Sequence, residues 1–178
     1  GMGIVKSGQQ SYPEREVAIK KVLRNSNDHQ RMLLQEAQIT GQLEHPSIVP
    51  IHQITQDDVG NIEIIMKRLH GKTLLELLSI VHTEGVFRLP VGHLQHLIQI
   101  CFALEYAHNQ NIVHRDIKLE NIMIGDFNEV FLMDWALGMD IVTKIGAHPG
   151  IVGTPAYMAP EMLSGDPDDI DVRTDVYL

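Results

Sequence analysis

Asp116, Lys118 and Asn121 lie within eight consecutive residues, His114-Arg115-Asp116-Ile117-Lys118-Leu119-Glu120-Asn121, and Asp134 follows in Asp134-Trp135-Ala136. Asn121 and Asp134 offer hard oxygen atoms of the kind Mg²⁺ takes together with phosphates and retained waters. Asp134 also ends an apolar run, Val130 to Met133, so its charge emerges where a buried strand meets a cleft. Upstream, Val17-Ala18-Ile19-Lys20 has strand character, which puts Ala18 and Lys20 on one face and Val17 and Ile19 on the other. Downstream stands Gly153-Thr154-Pro155-Ala156-Tyr157-Met158-Ala159-Pro160-Glu161. Singly, these groups read as loop caps and solvated surface charges: Lys20 as a strand lysine, Glu36 as a helix carboxylate. It is their order along one chain that calls for a common explanation.

The elements that must position them come strands first, then helices. Residues 16–23 alternate and are rich in Val and Ile, as a strand requires. Asn27-Asp28 can cap a helix running to about Leu43, with Met32, Leu33, Glu36, Ala37 and Leu43 roughly on one side, and it must stop before His45-Pro46. Two strand-like runs, 48–55 and 62–69, flank the turn Asp57-Asp58-Val59-Gly60-Asn61. Thr73-Leu74-Leu75-Glu76 is a capping box opening a short helix. Pro90 opens a longer one, whose positions Leu94, Leu97, Ile98, Cys101, Leu104 and Ala107 keep helical spacing. Short strands are expected at 122–124 and 130–133. From Trp135 to Val152 glycines and Pro149 break any period, which predicts a long loop, functional or disordered.

Taken together, the order Val17–Lys20, His114–Asn121, Asp134–Ala136 and Gly153–Glu161 closely resembles the protein-kinase signature. The chain is similar to Hanks-type serine/threonine kinases of the bacterial kind, in which Trp commonly replaces the Phe of Asp-Phe-Gly. The resemblance implies an α+β, two-lobed kinase-like fold: residues 1–69 as the β-rich N-lobe and hinge, and 70–178 as a mainly helical, partial C-lobe. It implies ATP as phosphoryl donor and Mg²⁺, with Mn²⁺ as a substitute, as cofactor. Asp116 resembles the base for a substrate hydroxyl, and Lys118 the cation on the γ-phosphoryl group. Lys20, paired with Glu36, resembles the lysine on the α- and β-phosphates. Asn121 and Asp134 resemble the metal ligands. Gly3, Val5 and Ala18 would cover the nucleotide from above and Met123 from below. Met66 falls at the gatekeeper position, with Lys67 to Leu69 as the hinge toward the adenine edge.

The same resemblance favours a Ser or Thr hydroxyl of a protein as acceptor, because Lys118 and the Gly153-Thr154 pair differ from the tyrosine-directed pattern. Small-molecule kinases usually lack the Gly153–Glu161 stretch. Arg115 stands where a phosphate on the activation loop can pair with it, and Thr143 is the single hydroxyl between Trp135 and Val152. Asp175 resembles the aspartate that braces the catalytic loop. His114 is read as a core histidine without chemistry. Ala136 stands where the motif has Gly, which raises a rival reading: a pseudokinase or nucleotide-binding scaffold. The glycine-rich loop retains only Gly3 and Val5, and the Arg that would pair with Glu161 has no match, so a piece cut at both ends is expected, itself weakly active and aggregation-prone.

Composition agrees with this much. Over 178 residues, 14 Lys+Arg against 23 Asp+Glu give a net charge of −9, which argues against nucleic acid as main partner. No apolar run approaches the roughly 18 residues of a membrane span. A single Cys rules out an internal disulfide and fits a reducing, cytoplasmic setting, with any anchor of the parent protein lying outside this stretch. Cys101 is read as a buried core thiol. His93 and His96, without a Cys or third ligand, are not read as a zinc site. Protein substrates are the implied partners, and a homodimer of the parent protein is compatible with the resemblance.

Overall fold

The computed structural model describes residues 3–23, 26–83, 91–148 and 150–178. Four strands, β1 (Gly3–Ser11), β2 (Glu14–Val22), β3 (Ile51–Gln56) and β4 (Ile62–Lys67), form an antiparallel sheet in the order β1-β2-β4-β3. The helix α1 (Asn27–Thr40) packs against β2, β3 and β4. β2 shows the alternation read from its sequence, two residues longer at its start. β1 was not expected: its Lys, Ser, Gly and Gln residues hide the period, and the strand is held as an edge by the ladder Gly3↔Val22 to Ser11↔Glu14. β3 starts at Ile51 rather than Ile48 because Pro50 supplies no N–H to a ladder. Ile48 instead bridges to Leu132 in the second part of the molecule.

α1 is capped by Ser26, whose hydroxyl accepts from His29 N–H at 3.3 Å, and not by Asn27-Asp28. It ends at Thr40, three residues short of the expected Leu43. There the hydrogen bonds tighten, Gln42 N–H to Ile39 O at 3.2 Å and Leu43 N–H to Thr40 O at 3.0 Å, so the chain unwinds ahead of Pro46. Leu43 remains buried although it is outside the helix.

The second part holds β5 (Gly71–Thr73), α2 (Leu74–Thr83), α3 (Val91–Asn109), β6 (Ile112–Val113), β7 (Ile122–Gly125), β8 (Val130–Leu132), β9 (Met139–Asp140) and α4 (Val172–Tyr177). β5, β7 and β8 make one small sheet, and β6 pairs with β9 in another. Gly71, at φ 153°, lets β5 lie against the β7 backbone, where a Cβ would run into the Ile124 carbonyl. The capping box ahead of α2 forms in both directions: Thr73 N–H donates to Glu76 Oε2 at 2.6 Å, and Glu76 N–H to Thr73 Oγ1 at 3.2 Å. Pro90, expected to open α3, lies outside the described residues.

α3 corrects the expected face in part: Ala107 is buried and Leu104 packs on the core as read, but the other four positions are not inward. It buries His96, Ile100, Ala103 and Ala107 and exposes Leu94, Leu97, Ile98 and Cys101. The helix is apolar nearly all round, so periodicity alone could not say which stripe faces inward. Cys101 is accordingly exposed, not a core thiol. The main core joins Ile100, Ala103 and Ala107 to Ile112, Ile122, Leu132 and Trp135, and also to Ile39 and Leu43 from the end of α1. Each fully buried Leu or Ile side chain of this core contributes roughly 1.5–3 kcal/mol, and through Ile39 and Leu43 that energy ties α1 to the second part of the molecule.

The stretch 135–152 is not an open loop. A 3₁₀ turn spans Trp135–Leu137, β9 follows, and Asp140 and Ile145 close a tight turn through Asp140 N–H to Ile145 O at 2.9 Å.

Candidate active site

One cavity of about 810 Å³ lies between the first sheet and the β7–β8 region. β2 sends Ala18 and Lys20 into it from alternate positions, as the strand period requires. Across the sheet Ala18 pairs with Met66 and Ser7, and Lys20 with Val5 and Ile64, so the upper wall is built by register. Gly3 and Val5 of β1, Met123 of β7 and the 67–69 linker complete the apolar side.

The linker is prepared unevenly. Lys67 N–H donates to Pro50 O at 3.1 Å, and its ammonium sits 4.7 Å from the Phe131 ring centroid. Among the described residues, the backbone N–H and C=O of Leu69 have no hydrogen-bond partner, so the free polar edge is there. Glu16 on β2 meets both Arg68 at 3.2 Å and His70 at 3.3 Å, a pairing that the motifs did not flag.

Toward the polar end, Lys20 Nζ is 2.5 Å from Glu36 Oε1 and 2.9 Å from Asp134 Oδ1. Burial works to lower the Lys20 ammonium, but the two carboxylates outweigh it and its pKa is raised. Burial pushes the Glu36 carboxyl up against the pull of Lys20. For Asp134 burial also pushes upward, yet Lys20, with His114 and Lys118, holds it below the ordinary aspartate range. Asp134 adopts a left-handed conformation, φ 59° and ψ 69°, which turns its half-exposed carboxylate into the cavity.

Asp116 is the centre of a second network. Its Oδ2 accepts from Lys118 Nζ at 2.7 Å and Asn121 Nδ2 at 3.1 Å, and its Oδ1 from the Thr154 hydroxyl at 2.6 Å. Thr154 Oγ1 in turn accepts from Lys118 Nζ at 2.7 Å. Asn121 donates again to Asp116 O at 2.8 Å, and its Oδ1 is left without a partner among the described residues. With the Asp134 carboxylate this gives two hard oxygen donors at the cavity. Such a set fits a divalent cation whose shell is completed by phosphate and water.

The model for the protein kinase domain matches residues 1–177. The chain belongs to the protein kinase family. Similar curated proteins include three bacterial kinases. Serine/threonine-protein kinase PknD of Protochlamydia amoebophila is 34% identical over 99% of the chain and 21% of its own length. PknD of Chlamydia caviae is 33% identical over 99% of the chain and 22% of its length. Probable serine/threonine-protein kinase PknB of Corynebacterium glutamicum is 33% identical over 99% and 28%. The chain thus spans 21–28% of the length of these relatives.

Support around the kinase signature includes contacts that the motifs did not reveal. His114 is fully buried: its Nε2 contacts Met133 O at 2.9 Å, its Nδ1 accepts from Asp116 N–H at 3.2 Å, and its ring lies 4.6 Å from that of Trp135. Trp135 is buried, and its indole N–H has no hydrogen-bond partner among the described residues. Arg115, buried and at φ 65°, donates through Nε to Leu137 O at 2.6 Å and through Nη2 to Gly146 O at 2.7 Å. Burial lowers its pKa to about 10, against the pull of Asp175. Asp175 accepts from His114 N–H at 2.8 Å and Arg115 N–H at 2.9 Å, and it also meets His108 Nε2 at 2.8 Å. Glu161 accepts from the Thr174 hydroxyl at 2.7 Å. Thr143 is exposed, its N–H bonded to Asp140 Oδ1 at 2.9 Å. His96 is buried with Nε2 2.8 Å from Asn128 Oδ1, while the side chain of His93 lies outside the described residues. No helix among the described residues is long and apolar enough to cross a membrane.

Proposed function

We propose that this chain transfers the γ-phosphoryl group of ATP to Ser or Thr hydroxyls of protein substrates. One observation carries the reading: the Lys20–Glu36–Asp134 chain and the Asp116–Lys118–Thr154–Asn121 network line the same cavity. Lys20, fixed by Glu36, holds the α- and β-phosphates. Ala18, Val5 and Met123 sandwich the adenine, Gly3 covers the phosphates, Met66 bounds the depth of the adenine pocket, and the Lys67–Leu69 linker meets the adenine's polar edge. Asn121 and Asp134 would hold Mg²⁺ or Mn²⁺, which supplies charge neutralisation on the phosphates.

Asp116 orients the acceptor hydroxyl and takes its proton as the oxygen bonds to phosphorus and the bond to the leaving ADP oxygen breaks. Lys118 stabilises charge on the transferred group. The hydroxyl of Thr154 already donates to Asp116 and accepts from Lys118, which supports a hydroxyl as the group this pair receives. Ala136 counts little against activity. It sits inside a 3₁₀ turn and not at a positive φ, so this conformation asks for no glycine. The cytoplasmic setting belongs to the same reading, supported by an exposed, unpaired Cys101.

The test is phosphate transfer from labelled ATP to Ser/Thr-containing protein by the full-length protein. Asp116→Asn is expected to lower kcat by about 10²- to 10⁴-fold while ATP still binds. Equal inactivity of wild type and variant, both binding ATP, would instead establish the scaffold reading.

A further inference from the structure

Glu36 reaches Lys20 from α1, and α1 is fastened on both sides of that contact. Toward its C-terminus, Ile39 and, just past the helix, Leu43 are locked in the main core. Toward its N-terminus, Gln30 stands in the first turn on the same stripe as the buried Leu33 and Ala37. Its Oε1 accepts from the Ile62 N–H at 2.8 Å, and its Nε2 donates to Asn61 Oδ1 at 3.2 Å. Asn61 Nδ2 then donates to Asp57 Oδ2 at 3.0 Å. Asp57 Oδ1 accepts from the N–H groups of Val59 at 3.1 Å and Asn61 at 2.8 Å. The direction of this relay is forced from both ends, because a backbone N–H only donates and a carboxylate only accepts. Asn61, first through its side chain and then through its backbone, holds the Asp57 carboxyl below the ordinary aspartate range, so it is ionised near neutral pH. The turn is closed by Asp57 N–H to Asn61 O and Gly60 N–H to Asp57 O, both at 2.9 Å, which gives Gln30 a rigid object to dock on.

We infer that Gln30 is a positioning residue for phosphoryl transfer: its carboxamide holds the first turn of α1 against the start of β4 and thereby sets Glu36 against Lys20. The link to the site is a short frame. Ile62 begins β4, Ile64 on the same strand pairs with Lys20 across the ladder, and Lys20 returns to the helix through Glu36. Gln30 closes that frame without itself lining the cavity. With the closure removed, α1 turns about its core-held end at Ile39. For a straight helix, a swing of about 3 Å at Gln30 carries Glu36 by about 1 Å. A misplacement of about 1 Å costs on the order of 100-fold in rate.

The inference rests on the transfer reading above, and its test includes a readout that needs no transfer. Burial works to lower the Lys20 ammonium and Glu36 to raise it, so withdrawing Glu36 speeds acetylation of that amine. In the full-length protein, Gln30→Met keeps the length of the side chain and loses both hydrogen bonds. It should lower kcat/KM for ATP about 10- to 100-fold and leave KM for the protein substrate unchanged. Acetic anhydride should modify its Lys20 at least about 3-fold faster than in wild type, as read by mass spectrometry. Polarity gives a second test. Gln30→Glu places acceptors at both ends of Asn61, and Asp57→Asn, which keeps Oδ1 for the two backbone N–H groups, places donors there. Each single variant leaves one mismatched pair and should show the same two defects. Combined, they reverse the relay, Asn61 flipping to donate toward position 30 and accept from position 57. The double variant should return to within about 3-fold of wild type in both readouts. Wild-type acetylation of Lys20 in Gln30→Met overturns the inference, as does a double variant no better than the sum of the singles. If Gln30→Met does not fold, the polarity pair decides alone. A wild type that transfers no phosphate yet shows the variant-dependent acetylation keeps the role of Gln30 in setting Glu36 and removes the transfer reading.

Discussion

Lys20 touches two carboxylates of different burial, and they respond differently to pH. Glu36 is largely enclosed with Lys20, whereas Asp134 is open to solvent on one side. The Asp134 carboxyl titrates below its ordinary range in the folded chain because Lys20 prevails over burial. A carboxyl depressed on folding adds stability above its unfolded pKa and loses it as pH falls through the folded value. The loss belongs to the acid limb, at and below the normal aspartate range. Asp134→Asn should therefore flatten the acid limb of the melting-temperature profile while leaving the neutral region nearly parallel to wild type. A variant curve as steep as wild type in acid would show that the pair contributes nothing there.

At the scale of elements, α3 shows how packing selects between two apolar stripes. Ile100 is 4% exposed and Leu97 43% exposed on the same helix. Ile100→Ala should cost about 2–5 kcal/mol by leaving a cavity, and Leu97→Ala less than about 1 kcal/mol. Urea midpoints of the two variants decide it, and equal losses would reverse the face. Local signals were legible where neighbours in sequence are neighbours in space: the alternation of β2, the Thr73–Glu76 box, and the motif residues that come together at the cavity. They were not legible where the partner is remote or the pattern is masked. β1 exists because β2 templates it. The end of α1 depends on the tightening before Pro46. The pairing of Glu161 with Thr174, or of His108 with Asp175, has no local signature. Stretch 135–152 looked irregular because its order comes from Arg115 donating to carbonyls that any residue could supply. At Gly146, φ 83°, a Cβ would collide with the Gly138 carbonyl, so that docking point has a glycine requirement visible only in three dimensions.

At the scale of the whole molecule, a net charge of −9 keeps copies apart while an apolar face draws them together. Leu94, Leu97, Ile98 and Phe102 are 60%, 43%, 46% and 57% exposed, a contiguous helical surface. The isolated 178-residue chain should self-associate, more strongly at high salt where its repulsion is screened. Replacing Leu97 and Phe102 together by Glu should restore a monomer, as read by light scattering. A wild-type chain that stays monomeric at about 100 μM in high salt would count against this. The brace at Asp175 carries a different implication, one of timing. It reaches back 61 residues to the His114 amide and 60 to that of Arg115. On a ribosome adding about 5–20 residues per second, the turn at His114 and Arg115 waits about 3–12 s for the carboxylate that fixes it. The first sheet is complete well before then. The nascent chain therefore passes through an interval in which the first sheet exists while the His114 and Arg115 amides still await the carboxylate that receives them.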